Sequence, residues 1–501
     1  MKKYLSNSIL VSLFSVIINA QSIEDALRYA RPEISGTSRY ISMGGAFNAL
    51  GGDFSAISVN PAASGVFVNS EFNATLNSNN NQISSSYLEN RNSIDSENSN
   101  INQFGVVLVL RNTSGGNFSK LSFAYNYQRT HDYENKYRAT GTNDKVGLDN
   151  YFLAFANGIQ FGRIKTYDNE TLSESYEYLG NNFGFPSQQA FLGYQGYVID
   201  PFDEIDLNNL YRSNSNPQKQ AVDHDFFVSN SGYNSKHSFN FSGQFKEKLY
   251  LGINLNSHYT EFKRIDRLTE FNYGSGSDFI ATLFENDLNS IGSGFSFQIG
   301  AIYKLEYFRV GLSYQSPVWY NLTDELFQYL ETSKINGIDI VDPRVINIYE
   351  YNLKTPSILS VGLARVFGSK GLITLQYDYT DFTNLKFNVG DGDRNFINQN
   401  NTIERSLKSA GTLKLGGEYR LSRLSLRAGY HNQQSINKKI NDKNQGFSFG
   451  LGYDLGGSLL NLGILNQKIE RAELMYQEGL NQNINLKNLQ TQFCIGLTIK
   501  L

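Results

Sequence analysis

From about residue 66 to the end, this chain alternates apolar and polar side chains over long stretches. Phe493, Ile495, Leu497, Ile499 and Leu501 fall on one parity, and Cys494, Gly496, Thr498 and Lys500 on the other. The same beat runs through Phe295–Leu305, through Phe447–Tyr453, through Leu121–Tyr127 and through Leu424–Tyr430. Neighbouring side chains of a strand point to opposite faces, so each stretch is a strand with one apolar and one polar face. A soluble sandwich also alternates, but these strands are long and their polar face is rich in Gly, Ser and Asn. A transmembrane barrel accounts for all three features, with apolar residues toward lipid and small polar ones toward the lumen. It also accounts for a negative mean hydropathy and for the abundance of Tyr (32) and Phe (35), residues that form girdles at both membrane interfaces. No apolar run after residue 21 reaches the roughly 20 residues of a helical span.

The pattern predicts an all-β fold, an antiparallel barrel of about 14 strands, an even number as single-chain barrels of this kind have. Tight turns such as Gly368-Ser369-Lys370-Gly371, Gly456-Gly457 and Thr113-Ser114-Gly115-Gly116 alternate with longer connections at 79–98, 131–234, 265–291 and 388–404. Short turns inside and long loops outside put both termini on the periplasmic side. At the start, Lys2 and Lys3 precede an apolar stretch from Ile9 to Ile18, and Ala20-Gln21 offers a cleavage point. That is the pattern of a secretory signal peptide over 1–20. It leaves 21–65 as a small N-terminal segment and 66–501 as the barrel, with 131–234 as its long extracellular loop. A barrel of this size leaks unless something fills it. The segment 21–65 is too short for a domain, and Ile23, Ala26, Leu27 and Ala30 predict one short helix before Pro32.

Within that segment lies Gly36-Thr37-Ser38-Arg39-Tyr40-Ile41-Ser42-Met43-Gly44-Gly45-Ala46-Phe47, followed by Asp53, Ala56 and Asn60-Pro61-Ala62-Ala63. Tandem glycines permit a tight turn or a close approach, and Asn-Pro favours a turn. The run resembles the plug of the FadL/TodX family of outer-membrane transporters, and Gly44, Gly45, Asp53, Asn60, Pro61 and Ala62 are the plug residues it implies. Thr355-Pro356-Ser357 to Ala364, Gly311 to Pro317, and the hairpins around Leu424–Tyr430 and Phe449–Tyr453 resemble that family's later strands. The resemblance implies a cell outer membrane location in a Gram-negative bacterium. It implies passage of hydrophobic small molecules, such as long-chain fatty acids, through a plugged barrel. In the family, ligand is captured in extracellular loops, reaches a site beside the plug's N-terminus and leaves sideways near a kinked early strand.

Candidate capture residues are Tyr151, Phe152, Phe155, Phe191 and Tyr194, because apolar extracellular patches mark binding surfaces; the same aromatics equally suit a loop packed into a lid. Recognition of a carboxylate needs a cation, and Arg28, Arg31 and Arg39 are available in the plug. No catalytic residue is expected. The five histidines (131, 224, 237, 258, 431) form no zinc pair, and Asp391-Gly392-Asp393 lacks the spacing of a calcium loop. Cys494 is the sole cysteine, which removes disulfides and thiolate clusters. Neither cofactor nor metal is expected. A net charge of −3 gives no field for nucleic acid. The expected partners are a hydrophobic ligand and outer-membrane lipid, around a monomer. Two other readings stand beside transport: a structural or accessory barrel, and a narrow polar porin, the latter marked by rings of opposed charge in the lumen.

Overall fold

The computed structural model describes residues 22–112, 116–388, 396–440 and 442–501. The signal peptide expected over 1–20, the Thr113-Ser114-Gly115 turn and the Asp391-Gly392-Asp393 loop lie outside the described residues.

Fourteen strands form the wall. The first seven are β1 (Glu71–Tyr87), β2 (Asn90–Arg111), β3 (Phe118–Asp132, resumed over Asn135–Asn143), β4 (Val222–Phe245), β5 (Leu249–Phe271), β6 (Phe279–Lys304) and β7 (Phe308–Gln315, resumed over Trp319–Lys334). The rest are β8 (Asn347–Lys354, resumed over Ile358–Val366), β9 (Gly371–Asp381, resumed over Lys386–Asn388), β10 (Ser409–Leu421), β11 (Leu424–Gln433), β12 (Lys443–Asp454), β13 (Ser458–Leu474) and β14 (Asn483–Lys500). Each pairs antiparallel with the next in chain order. The ring shuts where β14 returns to β1, with Glu71 opposite Lys500 and Ser86 opposite Asn485. No described helix is long and apolar enough to cross a membrane. The closed ladder crosses instead.

The outward faces carry an apolar band. On β8, Leu359, Val361 and Leu363 are exposed while Ser360 and Ala364 are buried. On β14, Phe493, Ile495, Leu497 and Ile499 point out, and Gln492, Cys494 and Thr498 point in. Strands extend far above this band: β6 runs for 26 residues, against the roughly 9–11 that cross a bilayer. Two connections expected as loops are therefore largely strand. Residues 79–98 form a hairpin turning at Leu88-Glu89, and 265–291 turns between Phe271 and Phe279. Their sequences, such as Asn79-Asn80-Asn81 and Ser84-Ser85-Ser86, are polar on both faces, which erases the periodic signal. The span 131–234 also holds the upper part of β3 and the first half of β4. Between them are helices α4 (Leu148–Ala156), α5 (Phe161–Ile164), α6 (Leu172–Phe183) and α7 (Phe185–Gln195).

The N-terminal segment starts with α1 (Ile23–Ala30), whose Ser22 and Asp25 form a capping box. Two short helical turns follow, α2 (Ser38–Ser42) and α3 (Phe54–Ile57), and then a 3-10 turn over Pro61–Val66. Ile41, Met43, Ala46, Phe47, Ala56 and Ile57 are completely or almost completely enclosed.

The outward band yields a test. Val361, exposed in mid-band between Leu312 and Tyr377, should resist a charge. Val361→Arg is expected to destabilise the barrel by about 2–4 kcal/mol, read from denaturant unfolding in lipid vesicles. An unchanged midpoint would remove β8 from the lipid-facing wall.

Candidate functional site

The segment 34–67 fills the barrel's lower half. Gly44 (φ +61°) and Gly45 (φ +72°) adopt left-handed backbone in the turn after α2, a conformation that favours glycine. The Gly44 amide donates to Ser448 Oγ at 3.0 Å. Asp53 caps α3 by accepting from Ser55 N at 2.9 Å and also accepts from Thr37 Oγ1 at 2.8 Å; burial raises its pKa. Asn60 accepts from Ala62 N at 3.1 Å, which holds the turn at Pro61, and donates to Asn48 O at 2.8 Å and Ala301 O at 3.1 Å. The six expected plug residues thus lie in one packed body against the wall. The wall meets that body with glycines: a side chain on Gly252 would overlap the Pro61 backbone, one on Gly311 would overlap Asn48, and one on Gly429 would overlap Gly44.

Each of the three candidate arginines already has a carboxylate. Arg39 Nε reaches Glu418 at 2.9 Å, and Glu418 also holds Arg427 at 2.8 Å. Arg28 pairs with Asp25 at 2.5 Å and stacks over Phe262 at 3.6 Å. Arg31 pairs with Asp442 at 3.4 Å.

The capture aromatics pack a cap into the barrel's mouth. Phe152 and Phe191 are fully enclosed and show no face to solvent. Phe152 stands edge-on to Phe284 of β6, and Tyr194 lies half-buried against Phe161. They read as exposed because helices α4 and α7 turn them inward, which a loop reading does not anticipate. Tyr151 and Phe155 instead line a chamber of about 290 Å³ between the cap and α1. Phe185, Phe262, Tyr349 and Tyr476 complete its aromatic wall. Sequence reasoning missed Tyr349, on β8 beside Ile348, and Tyr476, after Leu474-Met475 in the β13–β14 connection; only the folded barrel brings them together here. Arg28, Arg31, Arg264 and Arg471 also line the chamber, each paired, Arg264 with Asp266 at 3.4 Å and Arg471 with Glu473 at 3.0 Å. Glu24, Asp324 and Glu478 line it with no ion-pair partner among the described residues, and burial raises the Glu24 carboxyl.

A second chamber, about 190 Å³, lies between α1 and the plug. Gln128, Gln298, Gln376, His431 and the Lys414–Asp378 pair (2.8 Å) put polar groups on its wall beside Ile34, Val59, Val318, Ile358 and Phe382. His258 and Ser296 face each other at 2.8 Å on neighbouring strands. No carboxylate among the described residues pairs with the histidine, so the orienting acid of a nucleophilic triad is missing. No group of three acidic, His or Cys side chains among the described residues is arranged to hold a metal.

A closed fourteen-stranded wall, a packed body in its lower half and an aromatic chamber under a cap fit an outer-membrane barrel of the transport class. Residues 231–457 match the model described as outer membrane protein transport protein (OMPP1/FadL/TodX). The fold agrees along the rest. A FadL homologue of Pseudomonas aeruginosa superposes with a TM-score of 0.55 at 11% identity, covering 94% of this chain and 99% of that one. The toluene transporter TodX of P. putida gives 0.50 at 13%, with the same coverage. No curated protein matches the chain by sequence.

Two outcomes follow from the site. Deleting residues 23–62 is expected to raise single-channel conductance and uptake of bulky polar antibiotics several-fold; unchanged conductance would mean that this segment does not occlude the pore. The second concerns Glu33, whose carboxyl is raised from 4.5 to about 8, chiefly by burial and then by Asp132. Glu33 lines the second chamber and lies 3.3 Å from His131 Nε2. The folded protein therefore binds a proton that the unfolded chain releases above about 4.5. The resulting stability is full below that pH and is lost as pH rises through about 8. Thermal midpoints of the wild type should fall from pH 5 to 8.5 relative to Glu33→Gln. Parallel curves would show that Glu33 is ionised in the fold.

Proposed function

We propose that this protein admits compact, neutral hydrophobic molecules across the outer membrane as a monomer, after export that removes residues 1–20. Residues 21–65 act as the plug, and the solute passes from the cap to the upper chamber and then sideways into lipid. One observation supports the reading of the ligand: an aromatic-walled chamber in which every arginine is already paired and three carboxylates are not. A carboxylate entering there would meet uncompensated negative charge, whereas an arene meets ring faces and edges. At about 290 Å³ the chamber is at the small end of ligand cavities, which run from roughly 300 to 1,000 Å³. The similarity to a toluene transporter supports the same class. The tightly filled floor beneath the lower chamber disfavours an axial path for such a solute. A porin reading loses support for the same reason, because the lower lumen is filled rather than open.

The test is uptake of labelled toluene and labelled decanoate by a deletion strain, with and without the protein restored. Toluene uptake should depend on the protein, and the purified protein should bind decanoate more weakly. Phe185→Ser, which removes a partly buried ring from the chamber, should weaken toluene binding roughly tenfold. Equal binding of decanoate would overturn the neutral-ligand reading. Uptake unaffected by the deletion would favour a structural barrel.

A further inference from the structure

We propose that the outward face of β12, β13 and β14, just above the lipid-facing band, binds an anionic lipid of the outer leaflet whose headgroup carries two phosphates. This holds whatever solute the barrel carries.

The ladder fixes the height of this face. Tyr430, Phe447, Asn466 and Thr491 form one row across β11 to β14. Phe447 is exposed on that row, and Phe449 and Phe493 are exposed directly below it. Exposed aromatics that give way to polar side chains mark the interfacial belt. The next outward row up the wall holds Gln445, Lys468 and Leu489, and the row above that holds Lys443, Glu470 and Lys487. Two residues of a strand rise about 6.6 Å, which at the usual barrel tilt is about 5 Å of height. The lysine rows therefore stand about 5 and 10 Å above the aromatic edge, at the level of a headgroup layer roughly 5–8 Å deep. Long lysine stems let the ammonium groups settle within it.

Three lysines share one carboxylate there. Glu470 lies 2.5 Å from Lys468 and 3.9 Å from Lys443, and Lys487 is exposed with no ion-pair partner among the described residues. The loop that leads into β12 adds exposed Lys438 and Lys439. The excess of positive charge is local. β1 next door presents neutral Asn80, Gln82 and Ser84, and β2 beyond it presents Asp95 and Glu97. Across the barrel, the first three outward rows above Trp319 and Phe295 on β5 to β7 hold Glu261 and Glu325 against Lys263 alone. A merely solvated belt has no reason to segregate its charges around the ring in this way.

Spacing and depth select the ligand. Lys443 and Lys487 stand in one row with a strand between them, about 10 Å apart. One phosphate cannot meet both, whereas two phosphates on one headgroup can, with Lys468 below and between them. Lysine binds phosphate as a point charge and needs no fixed fork. Beneath the lysines, Thr491 Oγ1 donates to Asn466 Oδ1 at 2.8 Å, and this pair with Gln445 suits the hydroxyls of a sugar. Depth separates a lipid from an acidic protein. The first lysine lies one row above the apolar edge, where a phosphate tethered to acyl chains must lie and where a soluble partner would have to enter the headgroup layer.

The test is lipid retention by the purified protein in native mass spectrometry. The probes are bisphosphorylated lipid A, its monophosphorylated form and phosphatidylethanolamine. The wild type is expected to hold one bisphosphorylated lipid, to bind the monophosphorylated form roughly tenfold more weakly, and to keep phosphatidylethanolamine only at background. A lysine at the surface of an anionic membrane is worth roughly fivefold in affinity. Lys443→Gln with Lys468→Gln and Lys487→Gln should therefore weaken the bisphosphorylated lipid roughly hundredfold, and Lys263→Gln on the opposite wall should leave it unchanged. Heat-modifiable migration checks that each variant is folded. Lys487→Gln alone, with a loss of roughly fivefold, decides the matter if the triple variant does not fold. Retention of the bisphosphorylated lipid no better than that of phosphatidylethanolamine overturns the proposal, as does equal retention by the folded variants. Displacement of the lipid by inorganic phosphate at equal concentration would also overturn it, because the face would then hold free phosphate rather than a lipid.

Discussion

The whole molecule depends on the ladder by which β14 returns to β1. Within hydrocarbon no water is present to take an unpaired N–H or C=O, so a sheet that crosses must have no edge there. Closure from Glu71–Lys500 to Ser86–Asn485 meets that demand. It also sets the terms for everything else. Fourteen strands enclose more space than inward side chains can fill, which creates the need for an internal body. A circular wall then presents that body with polar inward faces on every side.

The plug and wall meet that polarity with directed bonds rather than apolar packing alone. Glu418 joins Arg39 of the plug to Arg427 of β11, and Arg427 donates in turn to Asn461 at 2.7 Å. Truncating one partner of such a buried set commonly costs about 3–5 kcal/mol, while replacing the whole set by apolar residues can be neutral. Its value is therefore positional: it fixes where the plug sits. The opposite choice governs the cap, where Phe152, Phe191 and Phe284 pack without directed bonds around the Tyr151 hydroxyl, which donates to Gln189 at 3.0 Å.

The wall at membrane depth was legible because lipid and lumen impose opposite demands on adjacent residues, so Leu359, Val361 and Leu363 stand apart from Ser360 and Ala364. Above the membrane both faces meet water or polar contacts, and Asn79–Asn81 could be read as loop as easily as strand. The resemblance to FadL/TodX proteins rested on glycines and an Asn-Pro turn, and the family model matches farther along, over residues 231–457. The site was less so. Phe152 and Phe191 could be read as a surface because composition cannot say which way a helix turns its rings, and Arg31 looked free because Asp442 is more than 400 residues away in sequence. Tyr476 enters the chamber only when the last hairpin closes.

The inward glycines carry a consequence for biogenesis. Gly252, Gly311 and Gly429 sit on β5, β7 and β11, and each accepts the plug's backbone or side chains at a distance that excludes a Cβ. The plug is thus moulded by strands from both halves of the chain, although it is synthesised before all of them. It has no complete surface to rest on until the C-terminal hairpins arrive, yet its fit is too close for it to be threaded afterward as a finished body. Insertion must therefore shape plug and wall together. The first residues exported become the last to find their place.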